Sequence, residues 1–245
     1  MERSSPTSFF VRLKGVIVDA LFPIVCLGCS REGQFICDSC RDRIPERDSQ
    51  ECPICRVPYS PNGAVCKKCR RKTALDGLLI AVPYKNRLIE RAIHTFKYRF
   101  IENLAFSLAS LIERALAHNS LPLPDAILPV PLHPRRLRYR GFNQAKLLSD
   151  ALAQDLTPQL EIPILDALLV RTRFTKPQIE TKTREERLQN LSGAFAIADE
   201  NKNSLAGKYV WLVDDVATTG STLEECAKAL KLAGARSVWG IVVAR

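Results

Sequence analysis

The sequence predicts an α/β fold, with a mainly parallel sheet flanked by helices and a small cysteine-rich module at the N-terminus. Three observations predict it. Strand-like and helix-like segments alternate from residue 76 onward, and eight of the nine cysteines lie between residues 26 and 69. An apolar run at residues 210–213 leads directly into two acids and a small polar loop. Such alternation is typical of parallel strands joined by right-handed helical crossovers.

We predict three parts: residues 1–25 as an amphipathic helix, 26–75 as a metal-binding module and 76–245 as the α/β domain. The composition is that of a globular protein, with 46% apolar and 25% charged residues. The net charge of +10 favours anionic partners such as nucleotides, nucleic acid or anionic lipid. No stretch is long and apolar enough to span a bilayer, and no secretory signal is evident. We therefore expect a cytoplasmic protein.

The first predicted element is the amphipathic helix, which ends near Pro23. Its apolar residues fall at helical spacing, which predicts a helix that packs on the rest of the protein: Phe9, Leu13, Val16, Ile17, Ala20 and Leu21. The alternative is a helix that lies on a membrane surface, which would bring the protein to the inner face of the membrane.

The cysteines form four C-x-x-C pairs, which predict two structural Zn²⁺ sites in a double zinc ribbon. Two-residue spacing places both thiolates of a pair on one turn, and four thiolates complete a tetrahedral site. The alternative is a disulfide framework, which needs an oxidising compartment. The predicted ligands are Cys26, Cys29, Cys37, Cys40, Cys52, Cys55, Cys66 and Cys69.

Glycines between the pairs, including Asn62-Gly63, favour pairing in succession along the chain, although interleaved pairing stays open. Apolar residues are few here, so metal binding must supply most of the folding free energy. Basic residues surround the last pair, and they suit either a nucleic-acid backbone or a solvated linker: Lys67, Lys68, Arg70, Arg71 and Lys72.

The α/β domain is predicted element by element from hydrophobic periodicity. The predicted strands are 77–84, 126–130, 164–170, 195–198, 209–213 and 238–243. The predicted helices are 88–96, 101–117, 142–156 and 222–233.

The run from Val210 to Thr222 is the main chemical signal, because a buried strand ends there in Asp214 and Asp215. Loops at the carboxyl edge of a parallel sheet bind ligands, and N–H groups at the start of the next helix suit a phosphate. The two acids can accept hydrogen bonds from a pair of ribose hydroxyls or hold Mg²⁺ near a pyrophosphate. The sequence therefore predicts a site for ribose with a 5′-phosphate, with the phosphate on Ala217, Thr218, Thr219, Gly220, Ser221 and Thr222.

A second chemical stretch, residues 128–144, follows another predicted strand. We expect a proline-stiffened loop whose arginines form bidentate hydrogen bonds with phosphate oxygens. An exposed basic loop without function is the alternative. The residues predicted to bind the pyrophosphate are Pro131, Arg135, Arg140, Asn143 and Gln144.

Residues 171–195 are polar and long for a connection inside a compact domain, which indicates a functional segment. We predict a lid over the site, with Arg187 and Asn190 facing the ligand. A variable surface loop is the alternative interpretation.

The run ending in Thr222 resembles the 13-residue phosphoribosyl-pyrophosphate (PRPP) motif of type I phosphoribosyltransferases. The whole chain resembles the ComF family of competence-associated proteins. The resemblance rests on the four cysteine pairs, the acidic strip and three short runs: His94-Thr-Phe-Lys97-Tyr98, Arg140-Gly-Phe-Asn-Gln144, and Gln178 with Arg187-Leu-Gln-Asn190.

This resemblance implies a type I phosphoribosyltransferase-like core behind a zinc module, with a role in bringing single-stranded DNA into competent bacteria. It implies PRPP or ribose 5-phosphate as ligand, Mg²⁺ as cofactor and the DNA-uptake machinery as a partner. If the site turns over, Asp214, Asp215 and Arg140 would be its catalytic residues. Three functions stay open: a phosphoribosyltransferase of unspecified acceptor, a PRPP-binding module serving DNA uptake, and a nucleic-acid-binding zinc ribbon on a silent PRPP fold.

Overall fold

The structure is a computed structural model that describes residues 23–47, 49–58, 60–98, 101–156, 162–173, 191–198 and 204–245. Nearly all of the predicted amphipathic helix and most of the predicted lid, including Arg187 and Asn190, lie outside the described residues. The chain divides into two compact units, Met1–Ile44 and Pro45–Arg245. The division into residues 1–25, 26–75 and 76–245 stays a prediction.

The described part of the first unit, residues 23–44, contains a cysteine knuckle and a short helix. Val25 and Glu32 form an antiparallel bridge that closes the knuckle, and helix α1 (Asp38–Arg41) follows Cys37. Among the described residues of this unit, the buried apolar side chains are three cysteines together with Ile36 and Ile44. So few apolar side chains around the knuckle favour a further crosslink there.

The second unit begins with an equivalent knuckle, closed by a bridge between Glu51 and Pro58. Gln50 fastens this region to the first strand of the domain. Its buried amide donates to the Ile80 carbonyl at 3.0 Å and accepts from the Ile80 N–H at 3.1 Å. Gly63, at φ +85°, lies so close that a Cβ would be 2.1 Å from the Leu78 carbonyl oxygen. Only glycine fits there, because both the φ angle and the space exclude a side chain.

A four-stranded parallel sheet forms the centre of the second unit. Its strands are β1 (Gly77–Val82), β2 (Ala126–Pro129), β5 (Tyr209–Val216) and β6 (Ser237–Ala244). They lie in the order β1–β6–β5–β2. Every residue of β1 and β2 is buried, so both faces of the sheet are covered. Because all four strands run the same way, their carboxyl ends meet at one edge.

Helices cover the sheet. Helices α2 (Arg87–Tyr98), α3 (Leu104–Ala117) and α5 (Gln144–Leu156) precede β5, and α6 (Ser221–Leu232) follows it. Helices α3 and α5 pack on each other and on the sheet, and α6 packs on β5 and β6. The predicted α/β class is confirmed, and these four helices and the four strands of the sheet differ from the predicted ranges only at their ends.

The predicted strand 164–170 is wrong as a continuous element. Ile164 makes a single parallel bridge with Ile127 beside β2, and a turn follows. The chain then enters β3 (Leu169–Arg171), which pairs antiparallel with β4 (Phe195–Ile197) in a separate two-stranded sheet. An apolar run with a turn inside it has the same composition as one strand, so periodicity alone could not separate the two.

Candidate functional site

A cleft of about 720 Å³ opens at the carboxyl edge of the parallel sheet. Its walls come from the ends of β2 and β5 and from helices that follow these strands or β1. This is the edge at which open α/β sheets bind ligands. The predicted site residues that line it are Pro131, Arg135, Arg140, Asn143, Gln144, Asp214, Asp215, Thr218 and Thr222.

Four other predicted residues belong to the same loop without lining the cleft: Ala217, Thr219, Gly220 and Ser221. Ala217 and Ser221 are buried, so their contribution to a ligand is limited to the backbone and the serine hydroxyl. The two chemical stretches of the sequence, 74 residues apart from Arg140 to Asp214, are thus brought to one cleft by the pairing of β2 with β5.

The two acids differ in their surroundings. Asp215 is 6% exposed, and its Oδ2 pairs with Nζ of Lys97 at 2.8 Å. Asp214 accepts the Asp215 N–H on Oδ1 at 2.9 Å. Burial and the neighbouring Asp215 charge raise the pKa of Asp214 to about 7, although Lys97 partly offsets this. Burial opposes the charge of Lys97, yet Asp215 and Asp214 raise the pKa of that ammonium.

A pair of carboxylates held in this way favours a ligand that brings hydroxyl donors or positive charge. Such a ligand would relieve the repulsion between the acids without removing Lys97 from Asp215. Neutral sugar hydroxyls meet this condition, whereas a phosphate placed directly on the acids would not.

The loop after β5 is preorganised by its own side chains. Gly220 takes the left-handed conformation, at φ +79°, immediately before α6. Thr219 Oγ1 lies 2.8 Å from Ser221 Oγ and accepts the Ser221 N–H at 3.4 Å. The acid in the first turn, Glu224, accepts hydrogen bonds from the Thr73 hydroxyl and the Ala74 N–H, at 3.0 Å for the latter. The Glu224 carboxylate therefore binds the segment at residues 73–74 and not the N–H groups at the start of α6.

The arginine stretch forms a short helix, α4 (Pro134–Arg140), so the predicted proline-stiffened loop is wrong for these residues. The reason is local. Pro134 stands at the first helical position, where its fixed φ angle favours a helix, and the His133 ring nitrogen accepts the Arg135 N–H at 3.2 Å. Gly141, at φ +77°, ends the helix.

Arg140 and Gln144 line the same cleft as the acids and belong to its arginine-rich wall. Arg140 Nη1 donates to Gln144 Oε1 at 3.1 Å, and its guanidinium lies 5.3 Å from the centre of the Tyr98 ring. Gln144 is 3% exposed, and its buried Nε2 has no acceptor among the described residues. A buried donor without an acceptor is costly, so this amide favours an acceptor supplied by a ligand.

Arginine density keeps this wall positive. Burial and the nearby Arg140 charge lower the pKa of Arg136, and burial with Arg136 lowers that of Arg171. Both shifts indicate that these arginine side chains are partly buried and lie close to another positive charge. An anion bound between them would stabilise this arrangement.

Asn143, by contrast, has a structural role in this conformation. Its Nδ2 donates to the Val130 carbonyl at 3.1 Å, and its Oδ1 accepts the Ala145 N–H at 3.1 Å. It therefore links the end of β2 to the start of α5 and positions the neighbouring Gln144.

The residue that sequence reasoning missed is Lys97, with His94 and Tyr98 beside it on α2. The run His94–Tyr98 carries part of the family resemblance, and its residues alone do not indicate a role in the site. No spacing rule joins a helix after β1 to acids after β5, because this contact depends on the tertiary fold. The sequence offers one indication of such a role, a lysine in the last turn of the amphipathic helix α2.

The cysteines form two clusters of four, and the four sulfur atoms within each cluster lie within 4.8 Å of one another. The first cluster comprises Cys26, Cys29, Cys37 and Cys40, and the second comprises Cys52, Cys55, Cys66 and Cys69. This is the successive pairing that the turns favoured. No disulfide links any of these cysteines.

The clusters fit Zn²⁺ by distance and by hydrogen bonding. Sulfur ligands at about 2.3 Å from a tetrahedral ion lie about 3.8 Å apart, and Cys55 and Cys66 are 3.7 Å apart. Burial opposes ionisation of Cys52, but the N–H groups of Cys55 and Cys66 help to lower its thiol pKa to about 6. Thiolates that accept N–H donors are what a structural zinc site requires.

No helix among the described residues has the length and apolar character needed to cross a membrane.

Comparison with known proteins finds two domain families in this chain. Residues 17–70 match the double zinc ribbon domain, and residues 148–245 match the phosphoribosyl transferase domain. The fold is therefore type I phosphoribosyltransferase-like, preceded by a zinc-ribbon module, as the sequence predicted.

Curated relatives cover most of the chain. Competence protein F of Haemophilus influenzae is 33% identical over 212 residues, 84% of this chain and 89% of that protein. DNA utilization protein YhgH of Escherichia coli is 33% identical over 83% of this chain and 87% of its own length. Competence protein ComFC of Bacillus subtilis is 30% identical over 80% of this chain and 77% of its own length.

Among solved structures, the allosteric regulatory enzyme of purine biosynthesis aligns with 58% of this chain and 26% of its own chain. The TM-score is 0.35 at 20% identity, which is too low to bear on function.

Proposed function

Because this chain belongs to the ComF family, we propose that it binds PRPP or ribose 5-phosphate with Mg²⁺ and acts in DNA uptake for natural competence. The observation that carries the proposal is one cleft lined by two kinds of group. Asp214 and Asp215 supply carboxylates, and Arg140 with Gln144 supplies hydrogen-bond donors. An acid pair and an anion-binding wall, beside a loop suited to phosphate, match the three parts of PRPP.

The acids would hold the ribose. Sugar hydroxyls are donors, and the carboxylates accept them while Lys97 keeps Asp215 in place. Hydrogen bonds to the charged form of Asp214 would lower its pKa from about 7, so ligand binding should release protons near neutral pH.

The loop would hold the 5′-phosphate through the N–H groups that open α6 and through the Thr218 and Thr222 side chains. Its conformation is set by Gly220 and by the contact between the Thr219 and Ser221 hydroxyls. Since the loop is formed before any ligand binds, little conformational entropy would be lost on binding.

The pyrophosphate would lie on the arginine wall. Arg140 and Arg135 offer planar donors that match phosphate oxygens. The Gln144 amide, a buried donor without an acceptor among the described residues, would gain one from the same group. Arg187 stays a predicted ligand contact, because it lies outside the described residues.

The acid pair also fits a divalent cation, since the raised pKa of Asp214 marks excess negative charge. Asp214 would be the protein group nearest such an ion, while Asp215 stays with Lys97. A Mg²⁺ ion held there would supply positive charge that offsets the charge of the pyrophosphate. If transfer occurs, the acids would stabilise the positive charge that develops on the sugar, and Arg140 would stabilise the departing pyrophosphate.

Calorimetric titration of the zinc-loaded chain with PRPP and Mg²⁺ tests this proposal. We expect wild type to bind, with Asp214→Asn and Arg140→Ala each weakening binding at least about tenfold, as removal of a charged hydrogen-bonding partner should. Leu232→Ala is a suitable control, because this residue is 90% exposed at the far end of α6. Equal binding by all four proteins would place the ligand elsewhere.

The DNA-uptake role takes its support from the named relatives. Expression of this chain in a competence protein F-deficient Haemophilus influenzae strain should restore transformation. We expect the Asp214→Asn variant, at equal protein level, to fail. Full rescue by that variant would separate the uptake role from the ribose-phosphate site. A cytoplasmic location stays a prediction.

A second candidate function is binding of single-stranded DNA, and one observation favours it. The basic residues around the second zinc cluster are all exposed, which suits contact with a phosphate backbone: Lys67, Lys68, Arg70, Arg71 and Lys72. On this interpretation the zinc ribbon would be the active part of a catalytically silent PRPP fold.

Fluorescence anisotropy with a labelled oligonucleotide separates the two candidates. Neutralising Lys67, Lys68 and Arg70 together should weaken single-stranded DNA binding and lower its salt dependence by about two to three ions. PRPP binding should stay at the wild-type level. Full-length variants are preferable to a truncation at residue 75, because Gln50 is buried against Ile80 in the domain.

A further inference from the structure

The two cysteine knuckles have the same backbone design. In each, the residue after the second cysteine has a left-handed conformation, with φ +61° at Ser30 and +59° at Arg56. Its N–H donates to the carbonyl of the first cysteine, at 2.8 Å in the first knuckle and 2.9 Å in the second. The equivalent position thus carries a short hydroxyl in one knuckle and a guanidinium in the other.

The guanidinium of the second knuckle points at the predicted phosphate loop. Arg56 Nη2 donates to the Thr218 carbonyl at 3.4 Å, across 162 positions of sequence. The knuckle is held at this end of the sheet by a second contact, in which Arg245 Nη2 donates to the Pro53 carbonyl at 3.1 Å. Arg245 directly follows β6, the strand beside β5. These two contacts place the second knuckle and its Arg56 side chain beside the loop that follows β5.

The charge of the loop explains why a cation is needed there. Residues 216–222 contain no basic side chain, and Asp214 and Asp215 precede them. A sugar phosphate carries nearly two negative charges at neutral pH. Lys97 pairs with Asp215, and Arg140 donates to Gln144. Within residues 216–222, neutral N–H groups and hydroxyls would have to hold the phosphate beside two acids.

We propose that Arg56, presented by the second zinc knuckle, binds the 5′-phosphate of the sugar-phosphate ligand. The inference rests on the proposed ribose-phosphate site and adds to it a residue from outside the phosphoribosyltransferase-like fold. A guanidinium has five N–H donors. One is directed to the Thr218 carbonyl, and others on the same planar group bind the phosphate oxygens. The zinc knuckle is thereby part of the ligand site as well as a structural support.

The test is calorimetry on the full-length, zinc-loaded chain with two separate probes, ribose 5-phosphate and inorganic pyrophosphate with Mg²⁺. Arg56→Ala should weaken ribose 5-phosphate binding about tenfold or more, since a charge-assisted contact is lost. Pyrophosphate binding should change less than about twofold, because that group lies on the arginine wall. Arg56→Lys should recover part of the loss by restoring the charge without the planar group.

Arg31→Ala is the matched control, because Arg31 is an exposed arginine beside the equivalent position of the first knuckle. It should leave both affinities unchanged. Zinc content measured on every protein shows whether the knuckle has formed, and the lysine variant preserves the test if the alanine variant loses metal.

Two results would overturn the inference while leaving the proposed function intact. One is wild-type affinity of both Arg56 variants for ribose 5-phosphate. The other is an equal loss for ribose 5-phosphate and pyrophosphate, which would indicate a general charge effect. If wild type bound neither ribose 5-phosphate nor PRPP, the proposed function and this inference would both be wrong.

Discussion

Asp214 should lower the stability of the ligand-free protein, and its replacement by asparagine should raise it. Burial and the Asp215 charge raise the pKa of Asp214 from 3.8 to about 7 in the folded state. Between pH 3.8 and about 7, the Asp214 carboxyl therefore keeps its proton in the folded chain and loses it in the unfolded chain. The resulting stability is complete below pH 3.8 and is lost as the pH rises to about 7.

The size of the effect follows from that shift. Each pKa unit corresponds to about 1.4 kcal/mol, so the full shift amounts to about 4 kcal/mol at pH 8. Asp214 is partly open to the cleft, and water there reduces the penalty. We expect Asp214→Asn to raise the free energy of unfolding by about 2–4 kcal/mol at pH 8. Asparagine keeps the acceptor for the Asp215 N–H, so this hydrogen bond is preserved.

The assay is urea denaturation of wild type and Asp214→Asn at several pH values and constant zinc. The difference in unfolding free energy should grow by about 1.4 kcal/mol per pH unit between pH 5.5 and 7 and level off above that. Using the difference cancels the titration of groups common to both proteins. A difference that does not depend on pH, or a variant less stable than wild type at pH 8, would refute the reasoning.

Three further predictions concern the Lys97–Asp215 pair, the cysteine clusters and the packing of Gly77. Lys97→Met leaves the buried Asp215 carboxylate without its cation and should lower unfolding free energy by about 3 kcal/mol at pH 8. Adding Asp215→Asn to this variant should restore most of the lost unfolding free energy. No recovery in the denaturation assay would contradict the Lys97–Asp215 ion pair. Metal analysis should find two Zn²⁺ per chain and one after either Cys29→Ser or Cys55→Ser; an unchanged content would contradict the two clusters. Gly77→Ala would place a Cβ 2.3 Å from an indole ring on β6, so thermal denaturation should show a loss of about 2 kcal/mol or more, and an unchanged midpoint would contradict that packing.

Much of the fold followed from the sequence because its strands are buried on both faces. Val210–Val213 is a continuous apolar run ending in acids, and such a run has few other interpretations. The cysteine clusters were equally accessible, since C-x-x-C spacing by itself defines half of a metal site. In both cases the chemistry depends on residues that are adjacent in the chain.

The rest of the candidate site depends on contacts between segments that are far apart in the sequence. Lys97 meets Asp215 only because α2 lies over the carboxyl edge of the sheet, and Arg56 meets Thr218 only because the second knuckle is fixed at that edge. The prolines of the arginine stretch predict a loop. One of them, Pro134, instead begins a helix. Proline is compatible with both outcomes, and the capping His133 side chain selects the helix.

The central claim is that one cleft binds the sugar, the phosphate and the pyrophosphate of PRPP. A crystal structure of the zinc-loaded protein with PRPP and Mg²⁺ tests it most directly. We predict ribose hydroxyls within hydrogen-bonding distance of Asp214 and Asp215, the 5′-phosphate on residues 217–222 and the pyrophosphate beside Arg140 and Gln144. Ligand density at another surface, or an empty cleft at saturating PRPP, would contradict this account.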